Sequence, residues 1–79
     1  MKLDRYSQDA LVDLRKYRSE AKRIMAKIER YAETGAGDVT QLAGVAALRL
    51  RVGDFRVISA ETATAIDVLR IGPRRGIYE

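Results

Sequence analysis

Leu48-Arg49-Leu50-Arg51-Val52 alternates apolar and charged residues, and an extended run, Phe55-Arg56-Val57-Ile58-Ser59-Ala60, resumes after Gly53-Asp54. The alternation fits a half-buried strand, because successive strand side chains point to opposite faces. Glycine at the first central position of a two-residue connection favours a type II′ hairpin. The register then follows: Val52 pairs with Phe55, Arg51 with Arg56, Leu50 with Val57 and Arg49 with Ile58. Leu48, Leu50, Val52, Phe55 and Val57 share the face that must be covered. Arg49, Arg51 and Arg56 share the other. Arg51 and Arg56 stand directly opposite, where like charges destabilise the pair. That face is therefore expected to stand in water or to hold an anion.

A third strand, Ala65 to Ile71, follows the connection Glu61-Thr62-Ala63-Thr64, and Gly72-Pro73 ends it. The first half of the chain has a different period. Lys2 to Tyr6 alternates weakly and reads as an edge strand. Ser7 suits a helix N-cap, with Ala10, Leu11, Leu14 and Tyr17 following at helical spacing. Ser19 is a second N-cap candidate, before the apolar stripe Ala21, Ile24, Met25, Ile28, Tyr31 and Ala32. Gly35 suits the left-handed position just past a helix end. The expected fold class is α+β: a short N-terminal strand, a helical hairpin, then an antiparallel three-stranded meander with the helices on one face.

Seventy-nine residues make one small domain, 1–79, with a modest core. Without Cys or His there are no disulfides and no Cys/His zinc sites, and neither metal nor cofactor is expected. No apolar run approaches the ~20 residues that span a bilayer, and residues 1–5 do not begin a signal peptide. A cytoplasmic protein with no membrane partner is expected. The formal charge is +4. Lysines stop at Lys27, and every later basic residue is an arginine, whose planar fork grips phosphate or carboxylate in two places. Lys22, Arg23, Lys27 and Arg30 are expected on the exposed side of the second helix. Such a set is most often a solvated face, and RNA contact is the sharper reading.

The order of elements resembles the RelE/ParE superfamily of bacterial toxins. So do the strings Leu50-Arg51-Val52-Gly53-Asp54-Phe55-Arg56-Val57-Ile58 and Leu69-Arg70-Ile71-Gly72-Pro73-Arg74-Arg75-Gly76-Ile77-Tyr78. Tyr6-Ser7-Gln8-Asp9-Ala10-Leu11 is similar to the family's entry into its first helix. Asp38-Val39-Thr40-Gln41-Leu42-Ala43-Gly44 is similar to its approach to the sheet. The resemblance implies a RelE-like sheet of the microbial-ribonuclease type. It also implies a toxin of a type II toxin–antitoxin system, neutralised in a hetero-oligomer with a cognate antitoxin.

RelE-like members cut messenger RNA on the ribosome without a metal, and ParE-like members poison DNA gyrase. By resemblance, Arg49 and Arg51 match the basic pair on the family's second strand. Arg56 matches the arginine at the scissile phosphate, Arg74 the arginine of the post-strand motif, and Tyr78 the tyrosine supporting a stacked base. The implied catalytic set is Arg51, Arg56, Arg74 and Tyr78; the implied phosphate-binding set is Arg49, Arg51, Arg56, Arg74 and Arg75.

Two departures bear on activity. Pro73 stands where many members have histidine, and arginines replace the lysines of RelE. A metal-independent endoribonuclease acting on ribosome-bound messenger RNA is the leading expectation. A gyrase inhibitor and a degenerate toxin that keeps only antitoxin binding remain open. Asp54, Glu61 and Glu79 are the carboxylates nearest this face in sequence.

Overall fold

The computed structural model describes residues 2–41 and 47–73. The elements run β1 (Leu3–Tyr6), α1 (Gln8–Lys16), α2 (Arg18–Thr34), β2 (Asp38–Gln41), β3 (Ala47–Val52), β4 (Phe55–Glu61) and β5 (Ala65–Pro73). The strands form one sheet in the order β1-β5-β4-β3-β2.

The α+β class holds, but the sheet is larger than a three-stranded meander. It has five strands and is mixed, with β1 parallel to β5 and the other pairs antiparallel. The added strand, β2, is short and carries one aliphatic residue, Val39, so its sequence gives no alternation to read. It lies on the edge, where little burial is demanded of it.

The hairpin has the expected register: Val52↔Phe55, Arg51↔Arg56, Leu50↔Val57 and Arg49↔Ile58. Gly53 has φ +58°, whereas no non-glycine residue has positive φ among those described, so Asp54 does not. That combination is the II′ pattern. An added Cβ at Gly53 would lie 3.1 Å from Arg23 Nη2, the mobile end of a side chain, so the backbone conformation sets the penalty. Gly53→Ala is expected to destabilise the protein by about 1–2 kcal/mol, the usual left-handed penalty. Urea denaturation reads this directly, and an unchanged midpoint would exclude this turn geometry.

The helices also follow their sequence signals, with one exception. The Ser7 hydroxyl accepts from the Ala10 amide at 3.0 Å, and Gly35 ends α2 with φ +74°. Ser19 is not a cap. Tyr17 alone separates the helices, the Tyr17 amide donating to the Asp13 carbonyl at 3.0 Å and the Glu20 amide to the Tyr17 carbonyl at 2.9 Å. Ser19 therefore falls inside the first turn of α2. The Tyr17 ring meets Phe55 edge-on at 5.1 Å, which ties the helix break to the hairpin.

Ala10 and Leu14 of α1 and Ile24, Ile28 and Ala32 of α2 pack with Leu50, Val52, Val57, Ile66, Val68 and Ile71 of the sheet. A bulge keeps Ile71 in this core. Ile58 pairs with Arg70 and Ser59 with Val68, so Leu69 is the extra residue on β5. In an unbulged strand Val68 and Ile71, three residues apart, would face opposite sides. Both are at most 2% exposed, while Leu69 is 39% exposed.

β1 ends at Tyr6, opposite Val68, although β5 continues to Pro73. Helix α1 closes the remaining edge. The Ser7 amide donates to the Val68 carbonyl at 2.9 Å and its hydroxyl to the Leu69 carbonyl at 2.8 Å. Asp13 then accepts the Ile71 amide at 2.8 Å, replacing the ladder bond of the missing strand. Helix α2 returns toward the start of β1, where the Lys2 amide donates to the Ala32 carbonyl at 2.8 Å. No helix among the described residues is long and apolar enough to cross a membrane.

Candidate nucleic-acid interface

The outer face of β3 and β4 carries Arg49, Arg51 and Arg56, as the register requires. Their settings differ. Arg51 is exposed, Arg49 is half-buried, and Arg56 is only 8% exposed. The sequence reading offered water or an anion as relief for the Arg51–Arg56 pair. The fold uses a third device. Arg56 Nη1 donates to the carbonyls of Gly53 at 3.2 Å and Phe55 at 3.0 Å, so the hairpin's own backbone dipoles hold the charge. On its other side Arg56 pairs with Gly72, which adds no side chain to crowd the guanidinium.

This arrangement leaves a usable donor edge. A guanidinium has five N–H groups, and the two on Nη1 account for the backbone bonds. The Nε and Nη2 edge has the fork geometry that meets two phosphate oxygens at once. The hairpin carbonyls thus fix the group's orientation before any ligand arrives.

Arg74, Arg75 and Tyr78 lie outside the described residues. β5 reaches Gly72 opposite Arg56 and Pro73 opposite Phe55, so the described chain ends beside the arginine face. Glu79 also lies outside the described residues.

Glu61 is held elsewhere. Five residues beyond Arg56 on β4, it is on the order of 16 Å away along the strand. Its carboxylate accepts from Lys2 Nζ and, at 2.7 Å, from the Tyr31 hydroxyl. Those two bonds, with the Lys2 charge, lower its pKa despite some burial. Burial and Glu61 together push the Tyr31 hydroxyl up to about 12. Asp54 is exposed in the hairpin turn, next to the face. Asp38 is the carboxylate that sequence distance concealed: thirteen residues before Arg51, it is that arginine's partner across β2 and β3. Among the described residues no group of His, Cys, Asp and Glu is arranged to hold a metal ion.

Arg70, embedded in the same arginine-rich tail, is engaged elsewhere. Its Nε and Nη2 donate to Asp13 at 2.9 and 3.4 Å. Burial pushes the Asp13 carboxyl up, but the bonds from Arg70 and the Ile71 amide, with the charges of Arg70 and Lys16, hold it below its ordinary value.

No known family profile matches the chain, and no curated protein sequence matches it. Solved structures do match its fold. The RelE–RelB complex from Pyrococcus horikoshii is matched with a TM-score of 0.78 at 20% identity, over 95% of this chain and 97% of that one. The RelB–RelE antitoxin–toxin complex from Methanococcus jannaschii gives 0.73 at 23% identity, over 94% of each chain. The DinJ–YafQ toxin–antitoxin complex from Escherichia coli gives 0.76 at 10% identity, over 99% and 98%. The chain has the fold of these proteins over nearly its whole length.

Proposed function

We propose that this chain is the toxin of a type II toxin–antitoxin pair, that it cleaves messenger RNA bound to the ribosome, and that a cognate antitoxin neutralises it. The observation that carries the reading is the pre-oriented Arg56, with Arg49 and Arg51 beside it, on a fold shared with RelE and YafQ structures. That those relatives were solved with RelB and DinJ supports an antitoxin partner for this chain.

The chemistry follows from the residue types. The ribose 2′-oxygen attacks the adjacent phosphorus and the bond to the 5′-oxygen breaks, giving a cyclic phosphate and a 5′-oxyanion that takes a proton from water to become the 5′-hydroxyl. Negative charge grows on the phosphate oxygens in the transition state, where fixed cationic donors stabilise it most. Arg56 and Arg51 take that role, Arg49 holds the flanking backbone, and Arg74 and Arg75 add to the phosphate contacts. Tyr78 supports a base.

Arginine stays protonated and makes a poor base. The 2′-proton therefore passes to one of the carboxylates bordering the face, Asp38 or Asp54, or to a group of the bound RNA. A base of the first kind predicts that the corresponding Asp→Asn variant loses cleavage while still binding RNA.

Primer extension on a translated message, with and without the purified chain, tests the reading. Codon-phased cuts that require ribosomes are expected. Uncut message together with gyrase-dependent DNA breaks would overturn it.

A further inference from the structure

A cavity of about 240 Å³ opens between α2 and the hairpin end of the sheet, lined by Lys27, Arg30, Gly37, Asp38, Leu50 and Arg51, among others. Lys27 and Arg30 are exposed and lie three residues apart, so both project from one side of α2. Arg51 borders this groove, and its side chain stands on the outer arginine face. The two cationic surfaces therefore join at one residue, around the end of the hairpin.

We propose that this groove is a second phosphate-binding site, carrying an RNA backbone from Arg51 onto α2 through Lys27 and Arg30. The proposal rests on the RNA-cleaving reading above. Lys27 and Arg30 line the groove from α2, while the cation and the carboxylate that border it from the sheet, Arg51 and Asp38, are cross-strand partners, so the balance is cationic and favours an anion. Its apolar lining offers no anchor for a peptide: Leu50 and Val52 are 5% and 3% exposed, already spent in the core. Protein partners bind chiefly through buried apolar or aromatic anchors, whereas a nucleic-acid backbone needs only spaced cations.

The test is binding of a fluorescently labelled twelve-nucleotide oligouridylate to the 79-residue chain, by anisotropy across a salt series. Each phosphate contact on a single strand contributes about 0.7 to the slope of log affinity against log salt. The Lys27→Gln/Arg30→Gln double variant is expected to lower that slope by about 1.4. Arg15→Gln/Arg18→Gln removes the same charge from the exposed helix junction and is expected to change it far less. Equal effects of the two double variants would overturn the proposal, since net charge alone would then explain the loss. So would a deca-glutamate peptide whose binding, unlike that of RNA, needs Lys27 and Arg30, because the groove would then serve a protein partner. Arg51→Gln separates the two levels of argument. If it weakens RNA binding while Lys27→Gln/Arg30→Gln does not, the groove fails and the RNA reading stands. If the parent chain does not bind the oligouridylate, the groove proposal falls, and primer extension on translated message decides the RNA reading separately.

Discussion

Asp13→Ala will lower stability by about 2–3 kcal/mol, the largest loss expected from any single polar residue described in the fold. The buried carboxylate is 6% exposed and accepts three hydrogen bonds, two from Arg70 and one from the Ile71 amide. Alanine leaves the Ile71 amide without a partner at a site where water is excluded, which is the costly half of deleting a buried hydrogen bond. Arg70 adds less, because its side chain is 58% exposed and returns to water. For a chain of this size the loss corresponds to a fall in Tm of roughly 10–20 °C. In urea, at a slope near 1 kcal/mol/M, the midpoint falls by about 2 M.

Asp13→Asn should cost about half as much, since its amide oxygen still accepts from Ile71. The two variants also fix the pH dependence. The folded state holds the Asp13 carboxyl below its ordinary value, so its contribution is complete above the unfolded pKa of about 4 and is lost as pH falls through the folded value. The stability gap between parent and Asp13→Asn must therefore be flat above about pH 5 and close below about pH 4. A gap that persists unchanged to pH 3 would mean that charge at Asp13 does not matter.

Asp13 also marks the limit of what the sequence makes legible. The hairpin could be read residue by residue, because period two and a glycine turn determine which side chains meet, and the pairing followed that register throughout. Ser7 and Gly35 are similarly local signals whose chemistry acts within a few residues. Asp13 looks like an ordinary polar residue on a helix. Its role exists only because β1 stops at Tyr6, opposite Val68, while β5 runs on, leaving an amide at Ile71 for α1 to satisfy. The parallel pairing of β1, the short β2 and the bulge at Leu69 are likewise products of long-range packing. At the candidate site, the sequence located Arg49, Arg51 and Arg56 on one face. It could not show that Arg56 is gripped by its own turn, nor that Asp38 comes to lie across from Arg51.

The difference between Arg51 and Arg56 yields the sharpest test of the face. Arg51 is exposed and stands between a cation, Arg56, and a carboxylate, Asp38, so Arg51→Ala removes a repulsion and an attraction together and should change stability by less than about 0.5 kcal/mol. Its effect should fall on cleavage, by about 10²–10³-fold, the usual loss when one transition-state donor is deleted. Arg56→Ala should lose cleavage by a similar or larger factor and also destabilise the fold by about 1–2 kcal/mol, because two hairpin carbonyls lose their donor. Arg56→Lys separates grip from charge. Lysine keeps the cation but cannot bond both carbonyls and still present a planar two-donor edge to a phosphate, so cleavage should remain depressed. Single-turnover cleavage of ribosome-bound message, run beside urea titrations of the same preparations, gives both readouts. Full activity in Arg51→Ala would remove it from the reacting phosphate. Recovery of activity in Arg56→Lys would show that a point charge suffices, and that the orientation imposed by the Gly53 and Phe55 carbonyls has no part in catalysis.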